Sequence, residues 1–71
     1  MKSLEQVRKE NPYGDVYSDT VFLDMLCSEV ITEYDGFGYF YDGEKEIVDK
    51  DIFDPLAWEE NDYPYVIWYN K

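Results

Sequence analysis

Ten carboxylates fall within 28 residues of this 71-residue chain: Asp35, Asp42, Glu44, Glu46, Asp49, Asp51, Asp54, Glu59, Glu60 and Asp62. Three kinds of chemistry use acidic side chains at such density. Paired carboxyls act as general acid and base when a cleft holds their pKa values apart. Alternating carboxylates ligate a hard cation such as calcium. Carboxylates held several ångströms apart on a rigid surface can also stand in for the phosphates of duplex DNA, which carries one charge per roughly 1.7 Å of axis.

The rest of the sequence disfavours the first two. A chain this short has little volume for a catalytic cleft, and it contains no His, so neither a Ser-His nor a Cys-His nucleophile nor the usual zinc constellations can be assembled. There is no glycine-rich phosphate loop either. Asp49, Asp51 and Asp54 form a D-x-D-x-x-D run that superficially matches a calcium loop. An EF-hand loop, however, needs Gly at its sixth position and Glu at its twelfth, whereas the sixth residue here is Asp54 and Pro55 follows. The expectation is a protein that is not an enzyme and takes no cofactor or metal.

The carboxylates belong to a wider imbalance. Seventeen Asp and Glu against six Lys and Arg give a formal net charge of −11. Acidic chains with few large apolar residues stay disordered, because they cannot bury enough surface to offset the entropy of ordering. Here 45% of the residues are hydrophobic and 20% are aromatic, which points to a folded domain with a strongly negative surface. The length allows one domain, residues 1–71, and one small core. The lone Cys27 permits no intramolecular disulfide; it reads as a small buried apolar residue and fits a reducing cytoplasm. The opening MKSLEQVRKE lacks the apolar run of a signal peptide, and no stretch approaches the roughly 20 apolar residues of a membrane span. Six scattered cations are too few for direct nucleic-acid binding, and anionic lipid headgroups would repel the carboxylates.

The elements that must position the acidic residues follow from local patterns. Ser3 and Gln6 have capping-box spacing and predict a helix over Leu4–Glu10, ended by Pro12. Ser18 or Asp19 caps a second helix at about Asp19–Ser28, with Val21, Phe22, Met25 and Leu26 on its apolar face. Phe37, Tyr39 and Tyr41 alternate with Gly38 and Phe40 as in a strand. Asp42-Gly43 predicts a two-residue type I′ hairpin into a return strand over Glu44–Asp49, which would set Tyr41 opposite Glu44, Tyr39 opposite Glu46 and Gly38 opposite Ile47. Residues 49–62 read as an acidic connector in which Asp54-Pro55 starts a turn or helix and Trp58 anchors the loop to the core. Pro64–Tyr69 reads as the last strand, covered in part on both faces. The fold class is α+β: two short N-terminal helices packed on an antiparallel sheet of three or four strands.

The stretch Ile31-Thr32-Glu33-Tyr34-Asp35-Gly36-Phe37-Gly38-Tyr39 and the ending Val66-Ile67-Trp68-Tyr69-Asn70-Lys71 resemble a pattern found in small bacteriophage-encoded proteins. The resemblance covers the C-terminal half and carries no catalytic residue. It implies a phage setting, where small proteins of similar charge and size act as DNA mimics that inhibit restriction, CRISPR, repair or transcription enzymes.

Two readings compete for the acidic residues. One is solubilising charge that keeps a Tyr-rich protein monomeric; the other is recognition, favoured because small domains are comfortable at a net magnitude of about 2 to 8. The leading expectation is an acidic inhibitor in the host cytoplasm, whose carboxylates from Asp35 to Asp62 occupy the basic groove of a nucleic-acid-binding protein. Tyr34, Tyr63 and Tyr65, beside Asp35, Asp62 and Pro64, suit an Arg-rich partner surface. The alternative is an interaction or assembly module that binds through aromatic residues such as Tyr39, Tyr41 and Trp68. Oligomeric state is left open by either.

Overall fold

The computed structural model describes every residue except Lys45, Asn61 and Asp62, and describes Glu60 by its backbone alone. In chain order the described residues form α1 (Leu4–Glu10), β1 (Asp15–Ser18), α2 (Asp19–Cys27), β2 (Gly36–Tyr41), β3 (Ile47–Val48), α3 (Pro55–Glu60) and β4 (Tyr65–Asn70). The strands make a four-stranded antiparallel sheet in the order β1-β4-β2-β3, so the apolar C-terminal strand is central.

Both N-terminal helices start where their caps predict. Ser3 Oγ accepts the Gln6 amide at 3.2 Å, and Ser18 Oγ accepts the Val21 amide at 3.4 Å. Each bond satisfies an amide that the first helical turn leaves without a partner. The second helix closes differently. Its last turn ends in a Schellman arrangement, with the Val30 amide donating to the Met25 carbonyl at 3.0 Å and the Glu29 amide to Leu26 at 3.1 Å. That geometry puts Glu29 at φ 58°, where glycine is the usual occupant.

Between the two helices lies a strand that the sequence reading missed. Asp15–Ser18 pairs with Tyr65–Trp68 along the open side of β4. The two helices therefore do not lie together on one side of the sheet. Val66 and Trp68 face one way and Ile67 the other, as alternation along a strand requires. Val7 of α1 joins Val16, Tyr41 and Ile67 on one face, while Phe22 of α2 joins Phe40, Val66, Trp68, Ile52 and Ala57 on the other. Of the expected apolar face of α2, Phe22 is buried and Met25 and Leu26 pack at its margin, but Val21 is exposed. Cys27 is exposed as well, contrary to the buried position expected of it.

The hairpin is longer than two residues. Tyr41 pairs with Ile47 and Phe40 with Val48, so Asp42, Gly43, Glu44 and Glu46 lie outside the ladder and the return strand shrinks to Ile47–Val48. A type I′ turn needs positive φ at both central residues, and of Asp42 and Gly43 only Gly43 has it, at 85°. Asp42 instead uses its side chain: Oδ1 accepts the Glu44 amide at 2.8 Å and the Glu46 amide at 3.2 Å, which stabilises a wider turn. The expected facing of Tyr41 with Glu44, Tyr39 with Glu46 and Gly38 with Ile47 is thereby replaced.

The connector holds a third helix, beyond the two of the expected fold, at the turn or helix start that Asp54-Pro55 predicts. Asp54 Oδ1 accepts the Leu56 amide at 3.0 Å, and α3 begins at Pro55. The Trp58 indole N–H donates to the Ile52 carbonyl at 2.6 Å, and its ring meets Phe40 edge-on at 4.7 Å. Gly38 is the point where this segment closes on the sheet. A Cβ there would come within 2.6 Å of Ile52 Cδ1 and 3.0 Å of the Trp68 ring, so any larger residue would push the end of Ile52 aside.

Candidate functional site: the acidic edge and the open aromatic face

The acidic residues are not one patch. Glu44, Glu46, Asp49, Asp51 and Asp54 follow one another through the hairpin loop, β3 and the segment into α3, along the β3 edge of the sheet, and all are exposed. Exposed Glu59 follows on α3. Asp35 lies elsewhere. It precedes β2 while Asp42 follows it, and a strand rises about 3.3 Å per residue, so the two stand on the order of 20 Å apart. Glu60 contributes only its helical backbone position, and Asp62 lies outside the described residues.

Several carboxylates also have local duties. Asp35 Oδ2 accepts from the Thr32 amide at 2.9 Å and the Thr32 hydroxyl at 3.1 Å, closing the turn before β2. Asp51 Oδ1 accepts the Phe53 amide at 2.9 Å, and Asp42 and Asp54 hold the turns already described. Such side-chain-to-backbone bonds fix the loop that carries the charges. The D-x-D-x-x-D run is thus a pair of turns: its second and third Asp cap backbone amides. No three acidic, His or Cys side chains among the described residues converge closely enough to hold a metal ion.

The N-terminal segment docks against the acidic loop. The Lys2 amide donates to the Gly43 carbonyl at 2.9 Å, and the Tyr65 hydroxyl donates to the Lys2 carbonyl at 2.7 Å. Lys2 Nζ pairs with Glu10 at 2.9 Å and reaches the Tyr41 hydroxyl at 3.4 Å, while that hydroxyl donates to the Glu44 carbonyl at 3.3 Å. The hydrogen bond from Lys2 holds the Glu10 carboxyl below its ordinary value, and the bonds to Glu10 and then Tyr41 raise the Lys2 ammonium above its own. It is the one ion pair between described residues. The carboxylates of the β3 edge have no described cation within ion-pair distance.

The aromatic residues divide by face. Trp68 and Tyr41, expected as a contact surface, are buried, at 1% and 6% exposure. Trp68 packs in the cluster with Phe22, Phe40 and Ile52, and Tyr41 in the one with Val7, Val16 and Ile67. Tyr63 packs on Phe40 with ring centroids 6.0 Å apart, and Tyr65 bonds to Lys2, so neither is a free ring; Tyr34 is exposed. Tyr39 alone of the expected aromatic surface remains partly open. The sequence reading missed its companions. Phe37 stacks on Tyr69 at 5.2 Å and meets Tyr39 edge-on at 5.9 Å, on the sheet face that α1 covers only in part. The period-two alternation of residues 37–41 put Phe37 and Tyr39 on one face; what it could not show was that α1 stops short of them.

A second apolar feature lies on the opposite face. Leu23, Leu26, Cys27, Phe53, Pro55 and Trp58 line a shallow groove of about 340 Å³ between α2 and the start of α3. Among the described residues, no helix is long and apolar enough to cross a membrane. In comparisons with known proteins, the chain matches no family model, no curated protein and no solved structure.

Proposed function

We propose that this chain is a non-enzymatic acidic inhibitor of the phage type, whose β3 edge occupies the basic groove of a host nucleic-acid-binding protein active in restriction, CRISPR defence, repair or transcription. The observation that carries the proposal is the run of exposed carboxylates Glu44, Glu46, Asp49, Asp51, Asp54 and Glu59, of which Glu44, Glu46, Asp51 and Asp54 sit on turns held by Asp side chains. Pinning matters because a flexible acidic tail loses ordering entropy on binding, whereas a fixed one does not. A charge of −11 concentrated on a small rigid body also draws a cationic groove from a distance and accelerates encounter.

The test is an affinity pulldown from bacterial lysate with the tagged chain, washed at low and at high salt and read by mass spectrometry. Wild type is expected to capture a nucleic-acid enzyme that salt releases and duplex DNA displaces, because exposed charge contacts are screened. Reversing Glu44, Glu46, Asp49 and Glu59 to Lys, while sparing the turn-forming Asp42, Asp51 and Asp54, should abolish capture with the circular dichroism spectrum unchanged. Capture that survives both this variant and high salt would overturn the proposal.

A further inference from the structure

We propose that Phe37, Tyr39 and Tyr69 form a seat for an arginine side chain of the protein partner. This rests on the acidic-inhibitor reading and names the contact that charge alone does not supply.

The geometry is an open corner. Phe37 and Tyr69 are cross-strand neighbours in the β2–β4 pairing, and their rings stack at 5.2 Å with an interplanar angle of 23°. One face of Phe37 is therefore taken. On the side of β2 away from β4, β3 pairs only with Phe40 and Tyr41, so no strand lies beside Phe37 there. Phe37 is accordingly 49% exposed. Tyr39 meets Phe37 at 77° and Tyr69 at 70°, so it stands across the stacked pair as the second wall. A flat group can lie against Phe37 with its edge toward Tyr39.

Charge selects the occupant. At −11, the chain repels a second copy of itself, a nucleic-acid strand and an anionic lipid surface alike. A cation is drawn in, and the negative π faces of the rings favour one further. Guanidinium is planar, weakly hydrated and stacks on aromatic faces; the compact, strongly hydrated ammonium of lysine does so less well. A partner groove that binds nucleic acid is rich in such side chains, and the seat lies on the same β2 strand that leads into the acidic loop.

The probes are nona-arginine and nona-lysine peptides, equal in charge, titrated calorimetrically into the full chain at low salt. Wild type is expected to bind nona-arginine about two- to fivefold more tightly than nona-lysine, the scale of an exposed cation–π contact. In the Phe37→Leu/Tyr39→Leu variant, which keeps apolar bulk and removes the π faces, that ratio should fall to about one. Single Phe37→Leu and Tyr39→Leu variants, each checked by circular dichroism, decide the matter if the double variant does not fold. A ratio of one in wild type, or a ratio unchanged in the ring variants, would overturn the seat. A Glu44→Gln/Glu46→Gln/Asp49→Asn variant separates the two proposals. It should bind both peptides more weakly at an unchanged ratio; unchanged affinities there would sink the acidic-edge reading and leave the seat standing.

Discussion

On one face of the sheet, Phe22 lies 5.6 Å from Trp68 and 6.2 Å from Trp58, Phe53 meets Trp68 edge-on at 6.0 Å, and residues of α2 and of the 52–58 segment pack over the strands. On the other, α1 covers Val16, Ile67 and Tyr41 and then ends, leaving Phe37, Tyr39 and Tyr69 partly in water. The two faces carry the same kinds of residue on the same strands. What differs is how much chain was left to cover them, and the consequence is a division of labour. The closed face supplies the cohesion of the domain, and the half-open face and the β3 edge are where it can meet something else.

The division can be broken most directly at Trp68. Trp68→Ala removes the largest fully buried side chain and should cost about 3–5 kcal/mol. A single core in a domain of this length supplies about 3–5 kcal/mol in all. The variant is expected to be largely unfolded at 25 °C, seen as loss of the near-ultraviolet circular dichroism signal; a native-like spectrum would mean that the closed face does not dominate stability.

Phe37→Ala probes the open face and should do far less. It loses the stack on Tyr69 and the edge contact with Tyr39, each worth about 0.5–1.5 kcal/mol, so Tm should fall by roughly 4–8 °C for each kcal/mol lost, with the fold retained. A loss as large as that at Trp68 would erase the distinction between the faces.

The smallest effect is expected at Glu10. Because Lys2 holds its carboxyl below the ordinary value of 4.5, the pair contributes stability above that pH, and the contribution is lost as pH falls through the lowered value. On the alkaline side, the raised Lys2 contributes below 10.5 and is lost as pH rises through its higher value. Glu10→Gln should therefore lower Tm slightly at neutral pH and leave it equal to wild type near pH ~2. A Tm difference that persists at that pH would assign the effect to packing of α1 instead of to the ion pair.

Much of the molecule was legible in one dimension. Ser3 and Ser18 marked the two N-terminal helix starts, Asp54-Pro55 marked a turn or helix start, and the apolar run PYVIWY marked a strand without fixing its central place, because caps and apolar runs act within a few residues of themselves. Asp15–Ser18 was not legible: four residues between a proline turn and a helix cap carry too little pattern, and the segment becomes a strand only because β4 offers it an edge. The hairpin register escaped for a related reason. Asp42-Gly43 fits a tight turn, yet the Asp42 carboxylate found two amides further on, and the loop widened around it.

For the candidate site, the sequence by itself determined the charge and the aromatic content, since both are sums over residues and need no fold. It also determined that the acidic residues cluster, because residues 42–54 are close along the chain. Only the tertiary structure decided that Asp35 stands at the far end of β2, that Trp68 and Tyr41 are core, and that Phe37, Tyr39 and Tyr69 share an uncovered corner. The reason is that burial is a property of what comes to lie on top of a residue. In this chain the cover of β4, the central strand, arrives from α1 and α2, which lie some forty to sixty residues before it in sequence.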